Sequence, residues 1–251
     1  MSSQFQIFTE PQIHSLRKGG KILRGCLDHV AALVRPGITT GEIDQAAETY
    51  IRDHGGKPAF KGYHGFPATL CISINEEIVH GIPGKRVIKE GDIVSLDGGV
   101  IFDELYTDAC VTVGAGSIAP KTKAFLDWTS QTLESVIHQI VKAGVHVGDI
   151  SSFIQKHLES KGYVPVRALT GHGLGSTLHQ FPDVPNIGKA GTGPALPVHT
   201  LIAIEPIACI GGTGEIVTAS DNWTISAQDK ALSCHFEHTV FITDEGCKII
   251  A

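Results

Sequence analysis

Four acidic residues stand in segments that otherwise read as buried β-strand. Ile93-Val-Ser-Leu-Asp97-Gly-Gly-Val sets Asp97 in an apolar run, Ile202-Ala-Ile-Glu205-Pro does so for Glu205, and Cys234-His-Phe-Glu237-His-Thr-Val for Glu237. A hairpin turn centred between Phe102 and Asp103 puts Asp108 directly opposite Asp97, with Cβ atoms roughly 4.5–5.5 Å apart. An isolated buried carboxylate is costly and ordinarily protonates, pairs or binds a cation. Two held this close repel unless a proton or a cation lies between them. For one such acid a salt bridge or a solvated edge is the simpler reading. For four in apolar contexts it is not.

Histidines complete the set. Thr170-Gly-His172-Gly-Leu-Gly holds an imidazole between glycines, where nothing bulky shields the ring. The stretch lacks the G-x-G-x-x-G spacing and context of a dinucleotide loop. His80, in Ile78-Val-His-Gly-Ile-Pro83, and His179, in Leu178-His-Gln-Phe-Pro182, also sit beside turn residues. The other ten histidines show no grouping and receive no role. Four carboxylates and one imidazole, with no thiolate, form a donor set suited to Mn, Fe(II), Co or Zn. Their negative charge exceeds what one divalent ion balances, which favours a pair of ions bridged by carboxylate.

An internal repeat supplies the elements that must position these groups. Val34-Arg-Pro-Gly-Ile-Thr-Thr-Gly-Glu-Ile43 recurs at an offset of 107 as Val141-Lys-Ala-Gly-Val-His-Val-Gly-Asp-Ile150. Gly37 matches Gly144, Gly41 matches Gly148, Glu42 matches Asp149, Ile43 matches Ile150 and Gly55 matches Gly162. Each copy reads as a helix ending at a Gly, a short turn and a second helix with an acidic first turn. Apolar and β-branched runs follow: Thr69–Asn75, Ile93–Val100 and Ala109–Val113, then Leu201–Ile210 and Phe236–Thr243. The expected fold is α+β, with two pseudo-symmetric αβ halves, one curved antiparallel sheet and helices on its outer face. A ligand site belongs in the cleft between halves. Residues 1–10 read as an unstructured lead-in and 11–251 as one domain.

The 251 residues are 42% hydrophobic and 18% charged, ample for a packed core and unlike a disordered chain. Twenty Lys and Arg against 26 Asp and Glu give a net charge of −6, with neither the basic face of a nucleic-acid binder nor a basic amphipathic membrane stretch. Six scattered cysteines without a C-x-x-C pair read as reduced thiols. With no signal peptide and no span of bilayer length, the expected location is the cytoplasm.

Asp97, Asp108, Gly-His172-Gly, Ile-Glu205-Pro and Phe-Glu237-His-Thr, in this order and spacing, resemble the five-ligand pattern of type I methionine aminopeptidases, which have the pita-bread fold. Asn75-Glu-Glu-Ile-Val-His-Gly-Ile-Pro83, and Tyr63-His-Gly-Phe-Pro67 before Cys71-Ile-Ser-Ile-Asn75, resemble further motifs of that family. The resemblance implies a dinuclear metal hydrolase that removes the initiator methionine from nascent polypeptides by attack of a metal-bound hydroxide. On this reading Asp97 chelates one ion and His172 the other, Asp108 and Glu237 bridge both, and Glu205 completes the shell on the His172 side. Glu205 also carries the proton, His179 stabilises the oxyanion, and His80 hydrogen-bonds near the scissile amide. Tyr63, Phe66, Cys71, Leu178 and Trp223 would wall the methionine pocket, with ordinary core packing an equal reading for Phe66, Leu178 and Trp223. The cofactors are two divalent ions among Co, Mn, Fe and Zn. The implied partners are nascent N-termini, with the ribosome as the place they emerge, and the chain is expected to act as a monomer.

The chain departs from the family pattern in places. Leu178 and Gln180 stand where Phe and Glu are common, Ile207 where Met is, Val79 where Cys is, and His235 where Gln is. None removes a metal ligand; they bear on metal preference and pocket shape. Prolidases and X-Pro aminopeptidases share the fold and ligands but usually carry a large additional N-terminal domain, for which a first helix near residue 11 leaves no room. A non-catalytic binding module would typically have lost a ligand. A dinuclear phosphoesterase lacks a basic cluster to clamp phosphate.

Overall fold

The computed structural model describes residues 4–251, so the first three residues of the expected lead-in lie outside the described residues. Residues 5–9 form neither helix nor strand, yet they are packed. Phe8 is 2% exposed and its N–H donates to His199 O, and Gln6 Oε1 accepts from Ser176 and Gln180.

The repeat appears as two helical hairpins, α1 (Glu10–Ala31) with α2 (Thr40–Asp53) and α3 (Pro120–Gln139) with α4 (Val147–Glu159). Gly37 and Gly144 turn the chain with φ of 95° and 80°, a region glycine enters without steric cost. Both connections are tied to an extended segment in the same way. Gly37 N donates to Ile88 O and Gly41 N to Gly84 O, while Gly144 N donates to Leu196 O and Gly148 N to Thr192 O. A methyl group on Gly148 would overlap Lys189 O, and one on Gly41 would lie 3.0 Å from Gly84 O. The matched glycines therefore mark a close backbone approach in each half. Glu42 accepts from the Thr39 N–H and Asp149 from the His146 N–H, so each second helix opens with the acid capping the preceding backbone.

Each hairpin packs its apolar stripe on strands. Leu23, Leu27, Val30, Ile43 and Ile51 meet Leu70, Ile72, Val94, Leu96 and Val100 in the first half. Phe125, Leu133, Val136, Ile150 and Ile154 meet Ile202, Ile204, Val240 and Ile242 in the second. All strand pairing is antiparallel. In the first half Leu70–Ile74 and Lys57–Pro58 flank Ile93–Phe102, which also pairs with Leu105–Gly114. In the second, Leu201–Ile204 lies between His238–Thr243 and Thr170–Gly173, with Gly246–Ile249 and Gln180–Pro185 outermost. The antiparallel pairing that the sequence suggests is present in both halves, and its ladder is interrupted in the second half where Glu205 and Glu237 stand.

Two sequence expectations are corrected here. The first hairpin turns at Asp103-Glu104, both with positive φ (48° and 62°), so Phe102 pairs with Leu105. Asp108 thus faces Gly99, and Asp97 faces Cys110. The two acids are diagonal neighbours on one face of the sheet, not directly opposite. The run Leu201–Ile210 is likewise divided, and the run from Phe236 enters its strand only at His238. Leu201–Ile204 stops before Glu205-Pro206 and Ile207–Cys209 resumes in another sheet; the partner strands Ser233–His235 and His238–Thr243 break at Phe236-Glu237. Pro206 has no N–H for the ladder, and the backbone of Glu237 exchanges both hydrogen bonds with Cys110 of the first half. Ile204 pairs with His238 and Ile207 with His235, so the register carries across the break and sets Glu205 opposite Glu237.

Candidate metal centre

Asp97 and Asp108 project from one face of the first-half hairpin. Asp108 is fixed by its N–H donating to Thr239 Oγ1 at 2.9 Å and its carbonyl accepting from the same hydroxyl at 2.7 Å. Glu205 and Glu237 enter from the break in the second half, and His172 from the strand Thr170–Gly173. The glycines around His172 have a steric cause: a methyl group on Gly171 would overlap Ala203 O, and one on Gly173 would overlap Phe181 O. Both halves thus deliver their acids to one cavity of about 290 Å³, whose wall includes all twelve residues that the sequence singles out.

On the cavity floor, Asp108, His172 and Glu237 each put one donor atom within 4.8 Å of the other two. His172 Nε2 lies 3.8 Å from Asp108 Oδ2 and 3.8 Å from Glu205 Oε1. Its Nδ1 donates to Gly173 O at 3.0 Å, which places the proton there and leaves Nε2 with its lone pair. A lone pair aimed between two carboxylates is repulsive unless a cation sits among them. Asp97 Oδ1, Asp108 Oδ1 and Glu237 Oε1 are buried without a hydrogen-bond partner. Among the described residues, the cavity wall contains no Lys or Arg to balance the acids.

The electrostatics agree. Burial pushes the Asp97 carboxyl up to about 7. Burial, then repulsion from the neighbouring acids, drives Asp108, Glu205 and Glu237 well above the usual carboxylate range. Burial pulls His172 down to about 3 and His179 to about 4, with adjacent imidazoles adding to the effect. The donor atoms, their missing partners and the absent counter-charge all fit first-row divalent cations.

Beside this floor lies an apolar wall. Ala59, Phe60, Phe66, Ala68, Cys71 and Leu178 form one buried cluster, with Tyr63 and Trp223 packed against it. Trp223 meets Phe66 edge to face at 5.1 Å and is held by Asp221, whose Oδ1 accepts from the Trp223 and Thr224 N–H groups. The cluster is at once core packing and cavity lining, so Phe66, Leu178 and Trp223 do both. Tyr63 Oη lies 3.0 Å from His179 Nδ1, and the His179 ring lies 4.3 Å from that of His172. His80 stands across the cavity in the left-handed region, with φ of 60° and its ring edge-on to Trp223. Such strain in a residue other than glycine is concentrated at functional sites.

Other members of the wall escaped sequence reasoning, Phe60 and His235 among them. Phe60 gave no local signal, because the pocket is assembled from segments far apart in the chain. His235 stood out in the sequence only as a departure, yet its Nε2 lies 3.6 Å from both Glu205 Oε2 and Glu237 Oε2.

Comparison with known proteins agrees with this geometry. The profile of metallopeptidase family M24 matches residues 14–244. The methionine aminopeptidase of Clostridium perfringens is 43% identical over 243 residues, 96% of each chain. Methionine aminopeptidase 1 of Bacillus subtilis is 38% identical over 242 residues, 96% of this chain and 97% of its own. Among solved structures, methionine aminopeptidase from Thermotoga maritima superposes with a TM-score of 0.96 at 38% identity, covering 98% of this chain and 99% of that one. Prolidase from Pyrococcus furiosus shares the fold at a TM-score of 0.79 and 21% identity, with 97% of this chain matching 64% of that one.

Proposed function

The chain belongs to metallopeptidase family M24, and we propose that it is a methionyl aminopeptidase that removes the initiator methionine from nascent polypeptides with two divalent ions. The observation that carries this reading is the meeting of Asp97, Asp108, His172, Glu205 and Glu237 on the floor of an apolar, aromatic cavity. A volume of about 290 Å³ is at the lower edge of ligand-sized pockets and suits one side chain with its terminal amine. Residues 11–251 act as one catalytic domain on this reading, since each half supplies ligands that the other lacks. Among the described residues no helix is long and apolar enough to cross a membrane. On this reading the protein acts as a monomer in the cytoplasm, on chain ends emerging from the ribosome.

Asp97, Asp108, His172, Glu205 and Glu237 would hold the ions. Cations in such a centre polarise a carbonyl and lower the pKa of water. The protein's own groups do the rest. Glu205 accepts a proton from the attacking water through a carboxylate oxygen and returns it to the leaving amine. With Tyr63 Oη–H donating to Nδ1, His179 keeps its proton on Nε2 and donates from there to the developing oxyanion. Its lowered value keeps the ring neutral at physiological pH. His80, aimed by its left-handed backbone, orients the scissile amide. Trp223, Phe66, Tyr63, Cys71 and Leu178 exclude water around the methionine side chain, whose sulfur gains about 0.3–1.5 kcal/mol per aromatic contact.

A prolidase or X-Pro aminopeptidase is the second reading, carried by the shared fold alone at 21% identity. Cleavage of Met-Ala-Ser against Xaa-Pro-Xaa peptides, with and without chelator, decides between them. Metal-dependent release of methionine is expected, and faster turnover of the proline peptides overturns the specificity.

A further inference from the structure

His235 has no part in the ligand set that the sequence suggests, yet its ring is aimed at the centre of the site. The backbone is clamped: its N–H donates to Thr112 Oγ1 at 3.0 Å, and its carbonyl accepts from Thr112 Oγ1 at 2.7 Å and from Cys110 Sγ at 3.3 Å. Cross-strand pairing with Ile207 holds it from the other side. The residue is 2% exposed, and neither ring nitrogen has a hydrogen-bond partner.

The spacing discriminates between two roles for Nε2. An N–H···O bond to a carboxylate spans about 2.7–3.2 Å, so a separation of 3.6 Å from each of Glu205 Oε2 and Glu237 Oε2 is not one. Two donors bound to one cation at about 2.0–2.2 Å lie about 2.8–3.6 Å apart between octahedral and tetrahedral angles. The observed separation of 3.6 Å stands at the tetrahedral end of that range. Coordination would also occupy a buried lone pair that the protein leaves unused.

We propose that His235 is a sixth protein ligand, adding through Nε2 a second imidazole to the metal centre on the side of Glu205 and Glu237. This rests on the reading that the site binds cations. Imidazole favours Co, Zn and Fe, whereas carboxylate and water suit Mn. A centre of four carboxylates and two imidazoles therefore discriminates against Mn(II) more strongly than the five-ligand set alone.

The test is calorimetric titration of the metal-stripped full chain with Co(II) and with Mn(II), for the parent protein and His235→Gln. The amide keeps the bulk and a donor but not the imidazole. The variant is expected to bind Co(II) at least about tenfold more weakly and to shift its visible absorption, while Mn(II) binding changes by less than about threefold. Unchanged Co(II) affinity, or equal weakening for both ions, overturns the proposal. X-ray absorption at the cobalt edge of the parent protein needs no variant: scattering from two imidazoles per loaded site supports the assignment, and scattering from one overturns it. A parent protein that binds neither cation sinks the hydrolase reading itself, and this inference with it.

Discussion

Raising the pH of the metal-free protein from 7 to 9 is expected to destabilise it. A divalent cation is expected to remove the part of that dependence carried by the four acids, leaving the shallower slope of the buried thiols that burial pushes up. In the unfolded chain Asp97, Asp108, Glu205 and Glu237 have ionised by about pH 5. In the fold, burial lifts Asp97 to about 7, and burial with mutual repulsion lifts the other three well above their usual range. The folded chain therefore keeps protons that the unfolded chain has released. Stability that is full below the ordinary carboxylate range is lost as pH rises through the raised values. Each retained proton gives a slope of about 1.4 kcal/mol per pH unit. One proton kept across the window corresponds to about 2.7 kcal/mol, or roughly 5–11 °C in Tm for a chain of this size.

The histidines do not cancel this effect. His172, His179 and His235 are lowered to about 3, 4 and 3. Their contribution grows as pH rises toward the ordinary value near 6.5 and is nearly level above it, which is why the window begins at 7. Thermal unfolding followed by circular dichroism, at pH 7, 8 and 9 with chelator or with Co(II), measures both slopes. Cations replace the shared protons, and at a hundredfold excess over Kd each bound ion adds about 2.7 kcal/mol. A level or rising Tm in chelator, or the same slope with Co(II) present, would refute the claim that the four acids share one site.

Other substitutions separate the roles. Asp108→Ala should abolish turnover and weaken cation binding more than about tenfold in calorimetry, because its carboxylate meets His172 and Glu237 at the centre of the donor cluster. His80→Ala should bind cations as the parent does while turning over about 10²–10³-fold more slowly; loss of metal would show that the ring is a ligand instead. Gly173→Ala should lower stability by about 1–3 kcal/mol in a denaturant melt, as the new methyl is driven against Phe181 O. Asp97→Asn should raise the Tm of the metal-free protein at pH 8, by relieving a carboxylate ionised against its surroundings, while reducing activity to background in a peptide assay.

The repeat was legible because helix punctuation is local: Gly37 and Gly144, Glu42 and Asp149 act within one turn of where they stand. The acids were legible because a charge in an apolar run conflicts with burial wherever the run lies. The register was harder. A two-residue hairpin loop with both residues at positive φ usually advertises itself with Gly at the second position, and Glu104 stands there instead, so the sequence places the turn one residue early. The sequence reading still kept Asp97 and Asp108 on one face, because the alternation has period two and the pairing slipped by two residues. Pro206 was a visible break signal, but the break at Glu237 depends on its backbone pairing with Cys110, 127 positions away. His235 and Phe60 acquire meaning only from such distant contacts.

These breaks explain how a sheet can hold four acids inside. Like charges directly opposite each other destabilise a ladder, and here Glu205 faces Glu237 in register while Asp97 and Asp108 lie diagonally on the hairpin that meets them. A neighbouring Arg or Lys would be the ordinary remedy, and the cavity wall offers none among the described residues. Each half by itself carries an unbalanced acidic pair, and the second half adds the neutral imidazoles of His172 and His235 beside it. The halves are tied at that place, through Cys110 with Glu237 and Asp108 with Thr239. Repulsion between the two acidic pairs is thus concentrated at the junction and can be relieved there only by protons or cations. Protons satisfy the charge but leave no open coordination for a substrate, whereas cations satisfy it and present that coordination to whatever enters the aromatic cavity. On the proposed reading, the arrangement that weakens the metal-free protein is the one that would hold the cations.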